Sequence, residues 1–531
     1  MGIFISVPKT VECVVVAVIF SLLFSGCCFR LLGILQSFGY SGKKTFGWVN
    51  RKANMTFSRH ALLALLCALS CAILGLCFSF VGEYAAVIGL AGYLVFLPLY
   101  IWADNRIALK VPLTFTPRMK RLYTVLSLIS AIFAYIAVTL LNFADYAWGN
   151  EIFSYLRYVP LAVFPLIIIP LILLSNLADK LYEVPRNRGY IRKAKAKMRG
   201  AKIKVIGVTG SYGKTSTKNI LSDILGSKYR VLSTPRSHNT PMGLALAINS
   251  NDLKDYDFFI AEMGARHVGD IAELCEMCPP DYSLITGICP QHLESFRSIE
   301  NVVKAKGEIL LPDSSAVIAE DCFDLFEGYS CTKYRADCVS DIVCTKAGGD
   351  FTLTLDGQSA RVHTRLLGKH AVENIALAAK LASVLGMSLD DIAKAIPEIN
   401  YIEHRLQLIK SGGVNILDDG YNSNVKGAAA AIEVLKSFDG RKIAVTPGLV
   451  ELGILEQSEN YELGKKLVGL DYVILVGERL VEPVKDGYLD NGGDKEKIKT
   501  VLGLDNAREE LKGILKEGDT VLFLNDLPDI Y

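Results

Sequence analysis

From Lys204 the chain reads K-V-I-G-V-T-G-S-Y-G-K-T-S-T-K: an apolar β-branched run, a glycine turn, then hydroxyl residues behind Lys214. This order predicts a buried strand, a tight loop and a helix start. Backbone N–H groups and the positive helix end meet there and suit a phosphate chain. In such a loop the Lys214 ammonium reaches the β- and γ-phosphates and the Thr215 hydroxyl binds Mg²⁺. The commoner pattern needs glycine where Val208 stands, so the match is the shorter T-G-x-x-G-K-T from Thr209 to Thr215. Thr209, Gly210, Ser211, Gly213, Lys214, Thr215 and Ser216 are the expected nucleotide contacts.

Three later segments carry further candidates. The run D-F-F-I-A-E-M-G-A, Asp257 to Ala265, reads as a second strand with Glu262 near its carboxyl end, the edge where open α/β sheets bind ligands. A carboxylate beside a triphosphate suits Mg²⁺, although a lone Glu after a strand also serves as a solvated cap. A third strand, Y-S-L-I-T-G-I, leads to C-P-Q-H-L-E-S-F and places His292 in a loop at the same edge. From Ser298 the spacing of S-I-E-N-V-V-K-A-K-G-E-I-L predicts a helix bringing Lys306 and Glu308 near that edge. Taken singly, His292 reads equally as a structural residue and Lys306 as a surface lysine.

The elements that must position these residues occupy the second part of the chain. With 531 residues, 51% hydrophobic, and a net charge of +2, the chain is long enough for about three units and gives no case for nucleic acid binding. Its mean hydropathy of +0.32 conceals a change near residue 180. Before it lie five apolar stretches, about 12–34, 57–80, 84–102, 122–143 and 152–175, each near the ~20 residues that span a bilayer. The first reads as an anchor rather than a cleaved leader. Basic residues gather at 35–56 (Lys43, Lys44, Arg51, Lys52), at 103–121 (Arg106, Lys110, Arg118, Lys120, Arg121) and after 176, whereas Glu83, Asp145 and Glu151 mark the other connections. The positive-inside rule then predicts five spans with the N-terminus outside and the later half in the cytoplasm. The basic run 186–199 reads as a stop-transfer flank or as a binder of anionic headgroups. No span shows a series of acids or bases, so a transport path is not expected. Six of the thirteen cysteines lie in the apolar stretches and read as small hydrophobes; Cys275 and Cys278 form a lone C-x-x-C that reads as packing.

Read in order, T-G-S-Y-G-K-T-S-T-K, E-M-G-A-R-H-V-G-D-I, H-L-E-S-F, K-A-K-G-E-I, G-K-H-A-V-E-N-I-A-L-A and D-D-G-Y-N-S-N resemble the Mur ligases over roughly residues 200–531. The nearest branch adds D-alanyl-D-alanine to a UDP-N-acetylmuramoyl tripeptide. The resemblance implies ATP and Mg²⁺ as cofactors, with Lys214 and Thr215 on the phosphates and first ion, Glu262 as shared metal ligand and His292 at a second ion. It implies a carbamate on Lys306 serving that second ion, so that Lys214, His292 and Lys306 are the catalytic set. Asn374, Arg405 and Asp418 match nucleotide-side residues, and Ser237, His238 and Asn239 match a substrate loop. Tyr421, Asn422 and Asn424 match the motif facing the incoming amine. The departures are Ala371 for Asn, Gly420 for Ser, Val425 for Pro, and a changed stretch T-P-G-L-V-E-L-G that keeps Glu451. The tail G-D-T-V-L-F-L-N-D-L-P-D-I-Y resembles the branch's usual end, so the chain is expected to be complete. At the front, apolar stretches stand where the family holds its UDP-sugar domain.

The expected architecture is therefore a transmembrane helical region at 1–185, a central α/β phosphate-loop domain at 186–399 and a Rossmann-like α/β domain at 400–531. The latter has strands near 414–418, 441–446, 471–476 and 519–524. The expected activity is a membrane-anchored ligase of cell-wall precursor synthesis. It activates a carboxylate as an acyl phosphate and joins it to an amino acid or dipeptide, D-alanyl-D-alanine above others. The acceptor is a UDP-linked or lipid-linked muramyl peptide. Two alternatives stand beside it: a γ-linked polyglutamate synthetase and an ATP-binding membrane scaffold.

Overall fold

The computed structural model describes residues 7–50, 56–82, 84–107, 112–290, 293–421, 424–450, 452–477 and 480–525. His292, Asn422, Glu451, the tail 526–531 and the loop charges Arg51, Lys52, Glu83 and Lys110 lie outside them. The chain divides into two compact units, one running to Arg186 and one beginning at Asn187.

The first unit is helical: α1 (Val7–Gly26), α2 (Phe29–Ser37), α3 (Gly42–Val49), α4 (Thr56–Cys77), α5 (Tyr84–Gly89), α6 (Ala91–Asn105), α7 (Pro117–Trp148), α8 (Glu151–Leu156) and the start of α9 (Ile168–Arg199). Four helices are long and apolar enough to cross a membrane, or five if α1 and α2 count as one bent span. Within the stretch 12–34 the helix is broken, and α1 and α2 meet at 48°. The Cys27 N–H is shared between the Leu23 and Phe24 carbonyls, and Cys28 donates to Ser25. This i→i−3 tightening turns the axis without proline. The basic connection 35–56 holds a short helix, α3, whose N-cap is Ser41.

Apolar side chains point outward from this unit: Val14, Val18 and Leu22 on α1, Leu62, Leu65, Leu69 and Ile73 on α4, and Leu128, Ile132, Ile136 and Leu140 on α7 are all exposed. Its interior holds a few paired charges. Arg157 is buried and pairs with Glu12 at 3.0 Å and Asp145 at 3.3 Å. Arg118 pairs with buried Asp179 at 3.0 Å, and Arg121 and Arg186 both meet Glu183. Apart from Arg186 and Glu183, one turn apart on α9, these pairs join residues of different elements, so no single stretch displays them.

The second unit takes in the end of α9, whose Ala194 and Met198 enter its core. Of the basic run, Lys197 donates to the Ile248 and Asn251 carbonyls and Lys195 pairs with Glu276 at 3.3 Å. The central sheet has order β2 (Val231–Ser233), β3 (Phe258–Glu262), β1 (Lys204–Thr209), β4 (Tyr282–Ile285), β5 (Ser315–Ile318), β6 (Thr332–Arg335), all parallel. Its strands β1 and β3 are almost wholly buried, as a parallel sheet covered on both faces requires. The covering helices are α10 (Lys214–Gly226), α11 (Pro241–Ser250), α12 (Asp270–Met277), α13 (Leu293–Phe296) and α14 (Ile299–Gly307). An antiparallel three-stranded sheet, β7 (Val339–Thr345), β8 (Gly348–Leu355) and β9 (Gln358–Thr364), follows before α15 (Lys369–Val384) and α16 (Leu389–Ala395). Cys275 and Cys278 are buried, and the Cys278 thiol donates to Leu274 within α12.

The last sheet has order β10 (Gln407–Ser411), β11 (Val414–Asp419), β15 (Thr520–Leu524), β12 (Lys442–Thr446), β13 (Tyr472–Val476), β14 (Ile498–Val501), parallel except for β10. Its helices are α17 (Val425–Lys436), α18 (Glu456–Leu467), α19 (Val481–Asp490) and α20 (Leu504–Ile514). Separate apolar cores cover its two faces, around Leu417, Ile432 and Leu522 and around Ile443, Ile474 and Val521. The two parallel sheets are what set the site: both present carboxyl strand ends carrying polar side chains.

Candidate functional site

The phosphate-type loop is held by its neighbours rather than by itself. Thr209 Oγ1 donates to the Met263 carbonyl at 2.8 Å, Ser211 N–H to the Gly287 carbonyl at 2.8 Å, and Ser211 Oγ to the Cys289 carbonyl at 3.1 Å. Gly213 precedes α10 with φ +74°, and a Cβ there would stand 2.6 Å from Asn374 Oδ1. Glycine is therefore required on both conformational and steric grounds. Lys214 opens α10 and curls back so that Nζ donates to the Gly210 carbonyl at 2.7 Å and to that of Ser211 at 3.2 Å. Burial lowers its pKa, and the Glu262 charge opposes the shift.

Glu262 ends β3 and is buried. Its Oε2 accepts from Thr215 Oγ1 at 3.0 Å and its Oε1 from Asn239 Nδ2 at 3.1 Å. Lys218 Nζ lies 3.4 Å from Oε2 and also donates to the Thr234 and Arg236 carbonyls. Lys218 is 1% exposed, and sequence reasoning missed it. The signal was available, because i and i+4 share a helix face and Lys218 follows Lys214 by one turn. A hydroxyl and a carboxylate 3.0 Å apart offer the hard oxygen donors Mg²⁺ takes, so these residues fit the ion. Asn239 packs so closely on β3 that a Cβ at Gly264 would stand 2.8 Å from its Cγ.

A cavity of about 470 Å³ brings together Lys214, Thr215, Glu262, Asn239, Lys306 and Arg405, with Ser237, Tyr421 and Asn424 also on its wall. Lys306 reaches it from α14 while only 3% exposed. Burial pushes its ammonium well below the ordinary lysine range and the Lys214 charge adds to this, with Asp270, Cys289 and Glu308 opposing. Glu308 fixes the neighbouring backbone by accepting from Gly269 N–H at 2.6 Å and Ala272 N–H at 3.0 Å. His238 does not line this cavity, and its buried Nδ1 has no partner among the described residues.

A second cavity of about 680 Å³ adjoins the loop from the other side, lined by Gly213, Ser216, Asn374 and Arg405 with apolar Leu366, Leu377, Ile402 and Ala431. Its mixture of apolar wall and few polar groups suits a nucleoside. Asn374 Oδ1 accepts from Thr217 at 3.1 Å, and Arg405 donates to the Tyr421 carbonyl at 3.0 Å. The strand β11 carries two neighbouring carboxylates, which its two-residue period sends to opposite faces. Asp419 stands on the cavity wall, whereas Asp418 accepts from Gly420 N–H at 3.0 Å and holds His404 Nδ1 at 2.8 Å. Asp419→Asn is therefore expected to raise the KM for nucleotide by about tenfold or more, and Asp418→Asn by less. Steady-state titration of both variants checks the order.

Residues 208–382 match the Mur ligase middle domain model and residues 404–525 the Mur ligase, glutamate ligase domain. UDP-N-acetylmuramoyl-tripeptide--D-alanyl-D-alanine ligase of Escherichia coli (strain K12) is 30% identical over 334 residues, covering 59% of this chain and 74% of that one. The chain belongs to the Mur ligase family. The Bacillus subtilis (strain 168) ligase of the same name is also 30% identical, with 62% and 74% covered. Among solved structures, MurF from Acinetobacter baumannii aligns with a TM-score of 0.59 at 25% identity, covering 65% of this chain and 78% of its own. The Thermotoga maritima MurF ligase in complex with ADP aligns with a TM-score of 0.57 at 29% identity, covering 65% and 81%.

As a Mur ligase this protein is an ATP-dependent acid–amino-acid ligase that uses Mg²⁺. Its two cavities meet at the phosphate-type loop, where Tyr212 lines both. Tyr212 Oη donates to Asp321 Oδ2 at 2.7 Å, and Lys426 Nζ from α17 meets the same oxygen at 2.7 Å. Burial opposes the Lys426 charge, but the Asp321 bond and charge outweigh it and raise its pKa. This clasp ties α17 to the loop. Tyr212→Phe is expected to raise the KM for ATP about two- to tenfold with little change in kcat, the range of one hydrogen bond. Initial-rate kinetics read both parameters.

Proposed function

We propose that this protein joins D-alanyl-D-alanine, or a single amino acid, to the carboxylate of a muramyl tripeptide, and does so at a cytoplasmic membrane surface. The observation that carries the ligase reading is the Thr215–Glu262 hydrogen bond with Lys214 and Lys306 on the same cavity wall. The acceptor carboxylate oxygen attacks the γ-phosphorus of ATP, an O–P bond forms, and ADP leaves. The amine nitrogen then attacks the acyl carbon, a C–N bond forms, phosphate leaves and the nitrogen loses a proton.

Lys214 and the loop N–H groups bind and orient the phosphates, while Arg405 covers the reacting end from the C-terminal lobe. Thr215 and Glu262 would hold one Mg²⁺, and by the family resemblance Lys306, as a carbamate, and His292 would serve a second. Mg²⁺ supplies charge neutralisation of the transferring phosphoryl oxygens. By the family resemblance Ser237, His238 and Asn239 would serve the acceptor, and Tyr421, Asn422 and Asn424 the amine. The remaining sequence-derived nucleotide contacts, Thr209, Gly210, Ser211, Gly213, Ser216 and Asn374, hold the loop and the nucleoside. Alignment of two fragments in this way is worth several kcal/mol in general.

The membrane half of the reading is supported by the outward apolar faces of α1, α4 and α7 and the spanning lengths of the helices. A lipid-linked precursor is as suitable an acceptor as a UDP-linked one, because an apolar helical unit precedes the ligase core. Phosphate release by the full chain in detergent, with each acceptor and with or without D-alanyl-D-alanine, tests this. Turnover that requires the dipeptide is expected. Turnover with glutamate alone would replace it by the polyglutamate reading, and ATP binding without turnover by a scaffold.

A further inference from the structure

We propose that the end of the helical unit formed by α2, α4 and α6 binds a phosphate group. Among the described residues, two guanidinium groups meet one carboxylate there. Arg30 lies 3.4 Å and Arg59 3.8 Å from Asp104. The cluster thus carries an excess positive charge. Four buried polar atoms in it have no hydrogen-bond partner among the described residues: Arg30 Nε, Arg59 Nη1, Thr56 Oγ1 and His60 Nδ1. His60 and Thr56 are 2% and 5% exposed, so water does not satisfy them readily. A buried N–H or hydroxyl without a partner is costly, and one anion with several oxygens satisfies the guanidinium and Thr56 hydroxyl donors together, and the His60 ring in the tautomer that carries its hydrogen on Nδ1.

The surroundings fit that ligand. Thr56 and His60 lie in the first turns of the 22-residue α4, whose N-terminal end carries the positive pole of the helix dipole. The Arg30 guanidinium stands over the Trp48 ring at 5.4 Å, and the His60 ring lies 5.7 Å from that of Tyr100. Both rings wall the cluster and limit competition from water. Arg59 keeps 35% of its side chain exposed, which gives a phosphate its way in. A planar guanidinium recognises phosphate through paired N–H groups. A phospholipid headgroup, the phosphate of a lipid-linked precursor and free phosphate all share this chemistry. The site rests on the helical unit alone and stands or falls apart from the ligase reading.

Trp48 reports on the cluster once Trp102 and Trp148, the other two tryptophans of the chain, are changed to phenylalanine. Full-length protein in a neutral detergent is titrated with dioctanoyl phosphatidic acid, inorganic phosphate and dioctanoylglycerol, which lacks phosphate. Saturable quenching or enhancement by phosphatidic acid is expected, with none by dioctanoylglycerol. Arg59→Gln and Thr56→Val should weaken it, the first by about tenfold or more, with helix content unchanged by circular dichroism. Lys214→Ala should leave it as it is. Saturation by inorganic phosphate as well assigns the site to the anion alone, and saturation by the lipid only assigns it to a headgroup. No saturable response to either phosphate, equal response to dioctanoylglycerol, or unweakened binding by Arg59→Gln overturns the site.

Discussion

Lys214→Ala is expected to lower ATP-dependent phosphate release by about 10²–10³-fold or more, the effect of removing one preorganised charge from a transition state. The size follows from the absence of a substitute among the described cations near the loop. Lys218 is committed to Glu262 and to the Thr234 and Arg236 carbonyls. Arg405 is bound to the Tyr421 carbonyl and stacked on its ring at 4.6 Å. Lys306 has its ammonium pushed well down by burial. The fold should survive, because Lys214 makes its bonds within its own loop and its removal relieves the desolvation of a buried cation. Thermal unfolding within a few degrees of wild type, together with a lost burst of phosphate, is the expected pair of results. Near-normal turnover in this variant would refute the phosphate-loop assignment.

What the sequence displays and what it hides divide along local and non-local lines. The strand β1, its glycine turn and the start of α10 are legible because β-branched residues, Gly213 and Lys214 follow one another within a few positions. Glu262 is legible as a strand-end carboxylate, and the structure adds its partners Thr215 and Asn239. Asp418 and Asp419 are indistinguishable by type, and only the pleat of β11 decides which carboxylate faces the cavity. The sheet β7–β9 was missed because its outer strand β7 is largely exposed and so carries little hydrophobic alternation. The ion pairs of the helical unit were missed for a related reason: Arg157 finds Glu12 across more than half of that unit's length. A break such as that between α1 and α2 leaves no mark either, since Cys27 and Cys28 are as apolar as their neighbours.

Lys306→Ala should lose about 10²–10³-fold in turnover, and small carboxylates such as formate or acetate should restore part of it. Only a neutral amine attacks CO₂; the C–N bond forms, one proton is released, and a carbamate of single negative charge remains. Burial supplies the neutral amine, since it disfavours the Lys306 ammonium, with the Lys214 charge acting in the same direction. The carbamate would in turn answer the positive charge of Lys214, and the cavity that holds Thr215 and Glu262 gives a free carboxylate room to replace it. The same lowered pKa has a consequence for stability. The unfolded chain binds the Lys306 proton up to the ordinary lysine value of about 10.4, whereas the folded chain releases it at lower pH. Stability therefore rises with pH between the folded and unfolded values, and Lys306→Ala should flatten that part of the rise. Carbonyl labelling with ¹³CO₂ reads the carbamate directly, and denaturant melts at several pH values read the linkage. A variant that no carboxylate rescues, together with a wild-type protein that takes up no label, would leave Lys306 as an unmodified lysine at the cavity wall and remove the carbamate from the second ion's ligands.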